Sequence, residues 1–157
     1  MVPDYSFDPT TTEAQSYLLG FCEPFFQQDF ADVAEDGYVC PINQFDMWVR
    51  SQANATSQSR AYRDHCDGAS SVPMNPDTFS KCIIAWSQSE LGDTTVLSRE
   101  GVLRIMYFRF QTKVRFDSPY DELNKEWNTI EDYLENERKS APAGLNKMYH
   151  SSTDFWW

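Results

Sequence analysis

The chain has 157 residues, of which 41% are apolar and 15% aromatic, a composition that excludes a disordered protein and fits one domain, residues 1–157, with a buried core. Its 13 basic and 24 acidic residues give a formal net charge of −11. This charge repels phosphate backbones and argues against nucleic acid as a partner. It would attract a basic protein partner. The alternative explanation is that the negative charge only keeps the protein soluble.

The first part of the sequence predicts a strand followed by a helix. Residues 2–7 are predicted as a short opening strand, although Pro3 is unfavourable there. From Thr10 to Val33, apolar side chains recur at spacings of three and four residues, which indicates a helix. Pro24 should kink this helix or start a new one. The side chains that define the pattern are Tyr17, Leu18, Phe21, Phe25 and Phe26.

Residues from about 35 to 92 are predicted to form a helical insert that carries cysteines. A turn at 35–37 leads to a short helix after Pro41. Residues 51–78 are rich in Ser, Asn, Asp, Gly and Pro, which predicts a long loop that Cys66 ties down. A third helix follows this loop and ends near residue 92.

The next segment predicts a β-hairpin, with one strand at 94–98, a turn at 99–101 and a long strand at 102–116. In the long strand aromatic and apolar side chains alternate with basic and polar ones, so one face should be buried. A strand of this length would extend about 50 Å, and we therefore expect a bend or a bulge in it.

A helix over residues 118–139 is the strongest prediction in the sequence. Ser118 can cap it, Pro119 suits its first turn, and Arg138 and Lys139 suit its negative end. After it, residues 147–150 are predicted as a last short strand. The helix carries one apolar stripe that should cover the sheet, formed by Tyr120, Leu123, Trp127, Ile130 and Leu134.

The predicted element order is β, α, the insert at about 35–92, β, β, α, β. Without the insert, this is the split βαβ pattern of a ferredoxin-like α+β sandwich.

Four cysteines and one sequon indicate an oxidising compartment. Cys22, Cys40, Cys66 and Cys82 match no zinc spacing, and an even count suits two disulfides. The alternative is a cytosolic protein with four unrelated buried thiols. Three pairings are open, and we prefer Cys22–Cys40 with Cys66–Cys82 because it closes the shortest loops. Asn54 begins the sequon Asn-Ala-Thr in a polar stretch, as a glycosylated surface site should.

We find no pattern that predicts catalysis, a metal or a cofactor. The two histidines are His65 and His150, and His150 has no acidic or thiol neighbour in the sequence. His65 lies beside Cys66, but adjacent side chains do not readily reach one ion, and Cys66 is needed for a disulfide. Acidic residues at 29–36 lack the alternate spacing of a calcium loop. The sequence therefore predicts a protein that is not an enzyme.

The C-terminal residues 154–157 end in Phe155, Trp156 and Trp157. Aromatic rings favour the boundary between water and lipid, where a membrane helix begins, but they also pack in cores, and both interpretations stay open here. The sequence starts with no signal peptide and contains no apolar run of about 20 residues. We therefore expect a fragment of a larger membrane-tethered protein.

Several of these segments resemble the Dispatched family. They are the long strand, the helix from Tyr120 to Trp127, the run from Ser140 to Leu145 and the aromatic end at 155–157. The similarity extends to Cys40-Pro41-Ile42 with Phe45 and Trp48, and to the segment from Phe79 to Trp86. It points to the second extracellular domain, at the outer face of the plasma membrane, just before a membrane helix. Patched and the Niemann-Pick C1 type sterol transporters share this layout.

The resemblance implies a transporter of the resistance-nodulation-division (RND) type that releases cholesterol-modified Hedgehog. This domain would form part of the cleft for the lipid-modified Hedgehog protein, with a sterol as a second candidate ligand, and would pack against the other ectodomain. The cation-coupling residues of that family lie in membrane helices. The competing hypotheses are a Patched-like or Niemann-Pick C1-like ectodomain, a free-standing secreted acidic binding module and a small hydrolase without a visible motif.

Overall fold

The computed structural model describes residues 7–32, 38–89, 96–115 and 117–151, and the structural findings below concern these residues. They form an α+β fold, as predicted, with small antiparallel sheets. The helices are α1 Thr12–Phe26, α2 Pro41–Ala53, α3 Arg60–His65, α4 Pro76–Ser87 and α5 Tyr120–Ser140. The strands are β1 Ala31–Asp32, β2 Tyr38–Val39, β3 Val96–Arg99, β4 Val102–Met106 and β5 Arg109–Thr112.

Helix α1 begins at Thr12 and is capped by Thr11, whose side chain accepts a hydrogen bond from the Ala14 amide at 3.1 Å. It continues through Pro24, so the predicted restart at that residue is wrong. The helix ends at Phe26 rather than at residue 33, because the chain turns there and enters β1. Its inner face carries Leu18, Phe21 and Phe25, which are buried at the spacings that predicted the helix.

The insert contains three helices, and the predicted loop over 51–78 is partly wrong. It holds α3, whose first turn is capped by the Ser59 hydroxyl, an acceptor for the Tyr62 amide at 3.3 Å. Helix α4 begins at Pro76 with Asn75 as its cap and ends at Ser87, earlier than predicted. The short helix α3 was missed because Tyr62 is its one buried side chain, which produces no apolar periodicity.

An aromatic cluster forms the core of the insert. The Phe45 ring lies 5.7 Å from the Phe79 ring, 5.5 Å from the Trp86 ring and 6.1 Å from the Trp48 ring, centroid to centroid. All four side chains are buried. Such clusters contribute apolar burial together with favourable edge-to-face contacts between rings.

Gln15 links α1 to the segment that precedes α4. Its side chain is fully buried, and its amide nitrogen donates to the Met74 carbonyl oxygen at 2.9 Å. The Met74 amide in turn donates to the Gln15 side-chain oxygen at 2.8 Å. Because the pair satisfies both backbone groups of Met74 in the core, a buried glutamine is stable at this position.

Strands β3 and β4 form the predicted hairpin, with Glu100 and Gly101 at positive φ values of 56° and 73° in its turn. The predicted single strand at 102–116 is divided at residues 107 and 108, in the manner of the expected bend. Its second part, β5, pairs antiparallel with β1 and β2 and lies between them. The run therefore contributes to two separate sheets among the described residues.

Helix α5 begins at Tyr120, and Pro119 occupies the cap position that we predicted for Ser118. The predicted apolar stripe is buried only in its second half. Ile130 and Leu134 are 4% and 5% exposed, whereas Trp127 is 37% and Tyr120 75% exposed. The sequence pattern did not identify the contacts of Tyr133, whose ring lies 5.5 Å from the Phe25 ring and 5.9 Å from the Phe30 ring.

The predicted strand at 147–150 is wrong: the chain turns through 143–147 and continues without regular structure to 150. The Asp8 amide donates to the Gly144 carbonyl at 3.1 Å, where φ is 91° and an added Cβ would lie 2.9 Å from the Asp8 backbone. Except for residue 7, the predicted opening strand lies outside the described residues. The ferredoxin-like arrangement therefore stays a prediction.

Candidate binding surface

Two disulfides hold the helical insert. In the structure Cys22 of α1 is bonded to Cys40, just before α2, and Cys66, just after α3, is bonded to Cys82 of α4. All four side chains are buried, and none of the cysteines is free. No thiol is therefore present to act as a nucleophile or a metal ligand. His65, beside Cys66, is exposed at the end of α3.

The acidic α5 face consists of Asp121, Glu122, Asp132 and Glu135, all exposed to solvent. It lies opposite the side of α5 that buries Ile130 and Leu134, so its polarity follows from the amphipathic pattern. Glu135 pairs with Lys139 at 3.4 Å, while the other three carboxylates make no ion pair with the described residues. The face can therefore offer negative charge to a basic partner.

Contacts of Glu137 fix α5 against α1. The Tyr17 hydroxyl donates to the Glu137 carboxylate at 2.6 Å across the two helices. Burial, together with this carboxylate, raises the pKa of Tyr17 well above its ordinary value, and burial raises the pKa of Tyr133 to about 12. Both phenols are neutral throughout the physiological range, so the Tyr17 hydroxyl remains a hydrogen-bond donor to Glu137.

An open cleft of about 630 Å³ lies between the end of α1, the start of α2 and the end of β5. Its lining includes Cys22, Phe26 and Ala31, together with Glu23 and Lys113, which carry opposite charges. Typical small-molecule sites of this size have mainly apolar and aromatic walls. The mixed lining here is better suited to a polar segment of a partner.

The C-terminal strap, residues 146–150, lies against α5 through a polar cluster. Arg138 donates from Nε to the Met148 carbonyl at 2.5 Å and from Nη1 to Glu131 Oε1 at 2.7 Å. His150 Nδ1 lies 3.1 Å from Glu131 Oε2, and its ring centroid is 3.9 Å from that of Trp127. The contact between His150 and Glu131 could not be predicted from the sequence, because the two residues are far apart in the chain and belong to no motif.

Asn54 is exposed at the C-terminal cap of α2, where its side-chain nitrogen donates to the Arg50 carbonyl at 2.9 Å. The aromatic residues Phe155, Trp156 and Trp157 lie outside the described residues. Among the helices that are described, none combines the length and apolar character that crossing a bilayer requires.

No family model matches the chain. Protein dispatched homolog 2 of Mus musculus is 28% identical over 159 residues, which cover 97% of this chain and 12% of that protein. The human homolog 2 is 27% identical with the same coverage of this chain, and the mouse protein dispatched homolog 1 is 24% identical over 98% of it. The chain is related to the Dispatched proteins. This finding confirms the resemblance predicted from the residues.

The chain spans 11–12% of the length of these curated Dispatched relatives. It therefore corresponds to one part of a Dispatched protein, and its two disulfides fit a part that is exposed to an oxidising compartment.

Proposed function

We propose that this chain is the second extracellular domain of a Dispatched-like transporter of the RND type, at the outer face of the plasma membrane. The observation that carries the proposal is the similarity to Dispatched proteins over 97% of the chain. The two disulfides support an extracellular position. In this proposal residues 154–157 lead towards a membrane helix, and the fold is a modified ferredoxin-like sandwich that packs against the other ectodomain.

The proposed role is binding rather than catalysis. The domain would form part of the cleft that holds a lipid-modified Hedgehog protein during its release, with a sterol as a second candidate ligand. The acidic α5 face supports contact with basic patches of such a protein, because opposite charges on two surfaces accelerate their encounter. The energy for transport would come from residues in the membrane part of the protein.

Charge reversal on the acidic α5 face tests this proposal. The variant D121K/E122K/D132K is expected to slow association with a lipid-modified Hedgehog protein by about tenfold or more at low salt, and much less at high salt. The measurement is the association rate constant on the immobilised 157-residue chain at two salt concentrations.

The matched control is E13K/D64K/D77K, which changes the net charge by the same amount on α1, α3 and α4. Glu13 and Asp77 lie in first helical turns, as Asp121 and Glu122 do, so the effect on helix ends is matched as well. An equal loss in both variants would show that net charge alone is responsible. Failure of the unaltered chain to bind would contradict the proposed partner.

We further propose that Asn54 is glycosylated when the protein passes through a secretory pathway. The side chain is exposed, and substitution of one amide hydrogen leaves the other to cap α2. When the chain is secreted from a eukaryotic cell, treatment with an N-glycosidase should shift the product to a lower apparent mass. N54Q and T56A should both lack this shift, whereas T56S should keep it. A shift that persists in N54Q would contradict the assignment.

A further inference from the structure

The C-terminal strap is attached to α5 at one end and fixed to the domain at the other. Gly144 accepts the Asp8 amide, and Leu145 is buried, so the chain is anchored immediately before the strap. Beyond that point, the described contacts to α5 include the Arg138 bond to Met148, the Glu131 contact of His150 and the ring contact with Trp127. The half-buried Met148 side chain also packs against the core, so release of the strap would cost this contact while Leu145 and the Gly144 bond keep the preceding chain in place.

His150 is the one titratable side chain of the strap that is buried: 9% of it is exposed, whereas Tyr149 and Lys147 are exposed. Both of its ring nitrogens are buried, and no described group makes a well-formed hydrogen bond to either of them. The charged groups that act on its ring from the described residues are Glu131 and Arg138, both on α5. An imidazolium here would lose its hydration and face a carboxylate that Arg138 already neutralises.

We propose that the C-terminal strap is an acid-released latch, in which protonation of His150 frees residues 146–150 from α5 and uncovers the ring of Trp127. Release would enlarge the exposed aromatic surface of α5 next to Tyr120, which is on the same side of the helix two turns earlier. A histidine is suited to such a switch, because its ordinary pKa lies within the range of biological compartments.

The direction of the pH effect follows from the burial of the ring. Burial lowers the pKa of His150, and the attraction of Glu131 opposes this shift only in part. The attached strap therefore binds a proton less readily than the released strap, so attachment is stable above the ordinary pKa and weakens as the pH falls. With a pKa of about 6.5 in the released strap, the released fraction can rise by at most about tenfold from about pH 7.5 to about pH 5.5.

Two measurements on the 157-residue chain test the latch. Proton NMR should show that His150 titrates below about 6.5, and the amides of 146–150, corrected for intrinsic rates, should exchange up to about tenfold faster at the lower pH. H150Q should remove this pH dependence, while H65Q, which changes the other histidine, should retain it. E131Q should lower the midpoint of His150 further, since it removes the attractive carboxylate.

A midpoint for His150 at or above its ordinary value would overturn the proposal, and so would an equal exchange response in H150Q and the unaltered chain. The titration of the unaltered chain decides the question even if H150Q folds poorly. Neither result depends on Hedgehog binding, so the latch and the proposed function can fail independently.

Discussion

Replacement of Phe45 by alanine is expected to lower the free energy of unfolding by about 3–5 kcal/mol. The Phe45 side chain is completely buried, and its ring touches the rings of Trp48, Phe79 and Trp86. Truncation leaves a cavity between α2 and α4 that these large rings cannot fill without leaving their own contacts. Both the lost burial and the cavity contribute to the cost.

The measurement is urea unfolding of the oxidised chain, followed by far-ultraviolet circular dichroism. M47A is the matched control, because Met47 lies on the same helix and is 70% exposed, so we expect a change within about 0.5 kcal/mol. A loss of less than about 1 kcal/mol in F45A would show that this cluster is not the core of the insert.

Removal of the Cys66–Cys82 disulfide, in the variant C66A/C82A, is expected to cost about 3 kcal/mol. The bond joins residues 16 apart, and its main effect is to restrict the unfolded chain. The structure adds a local reason: α3 has six residues and buries one side chain, Tyr62, so it cannot persist without an attachment. We therefore expect the amides of α3 to lose protection from hydrogen exchange in the variant.

Peptide mapping without reduction checks the pairing itself. The expected cross-linked peptides join Cys22 to Cys40 and Cys66 to Cys82. The variant C22A/C40A, which opens a loop of similar length, is the matched control. It should show a comparable loss of stability while α3 keeps its protection. A peptide that joins Cys22 to Cys66 or Cys82 would contradict the structure.

The sequence predicted well those elements that are determined by neighbouring residues in the chain. Helix α5 has an amphipathic period and the β3–β4 hairpin has a Gly101 turn, and both appear near their predicted positions. The Dispatched resemblance was equally accessible, because it depends on short stretches of sequence. The residues of the acidic α5 face lie outside the apolar positions of the same amphipathic period.

The features that sequence reasoning missed depend on contacts between distant residues. Helix α3 owes its existence to Tyr62, Cys66 and a serine cap within a polar stretch. Residues 147–150 were predicted as a strand, but Arg138 of α5 binds the Met148 carbonyl instead, and no described strand lies beside them. The contact between His150 and Glu131 is not predicted by the sequence around either residue.

The buried amide of Gln15 has a consequence for the evolution and engineering of this domain. Together with the Cys22–Cys40 bond, it joins α1 to the start of the helical insert and to the segment before α4, and the buried apolar side chains of α1 and the insert form a single cluster. The insert is therefore an integral part of the domain core. Excision of the insert would remove these contacts from α1, so a minimal folding unit must keep both α1 and the insert.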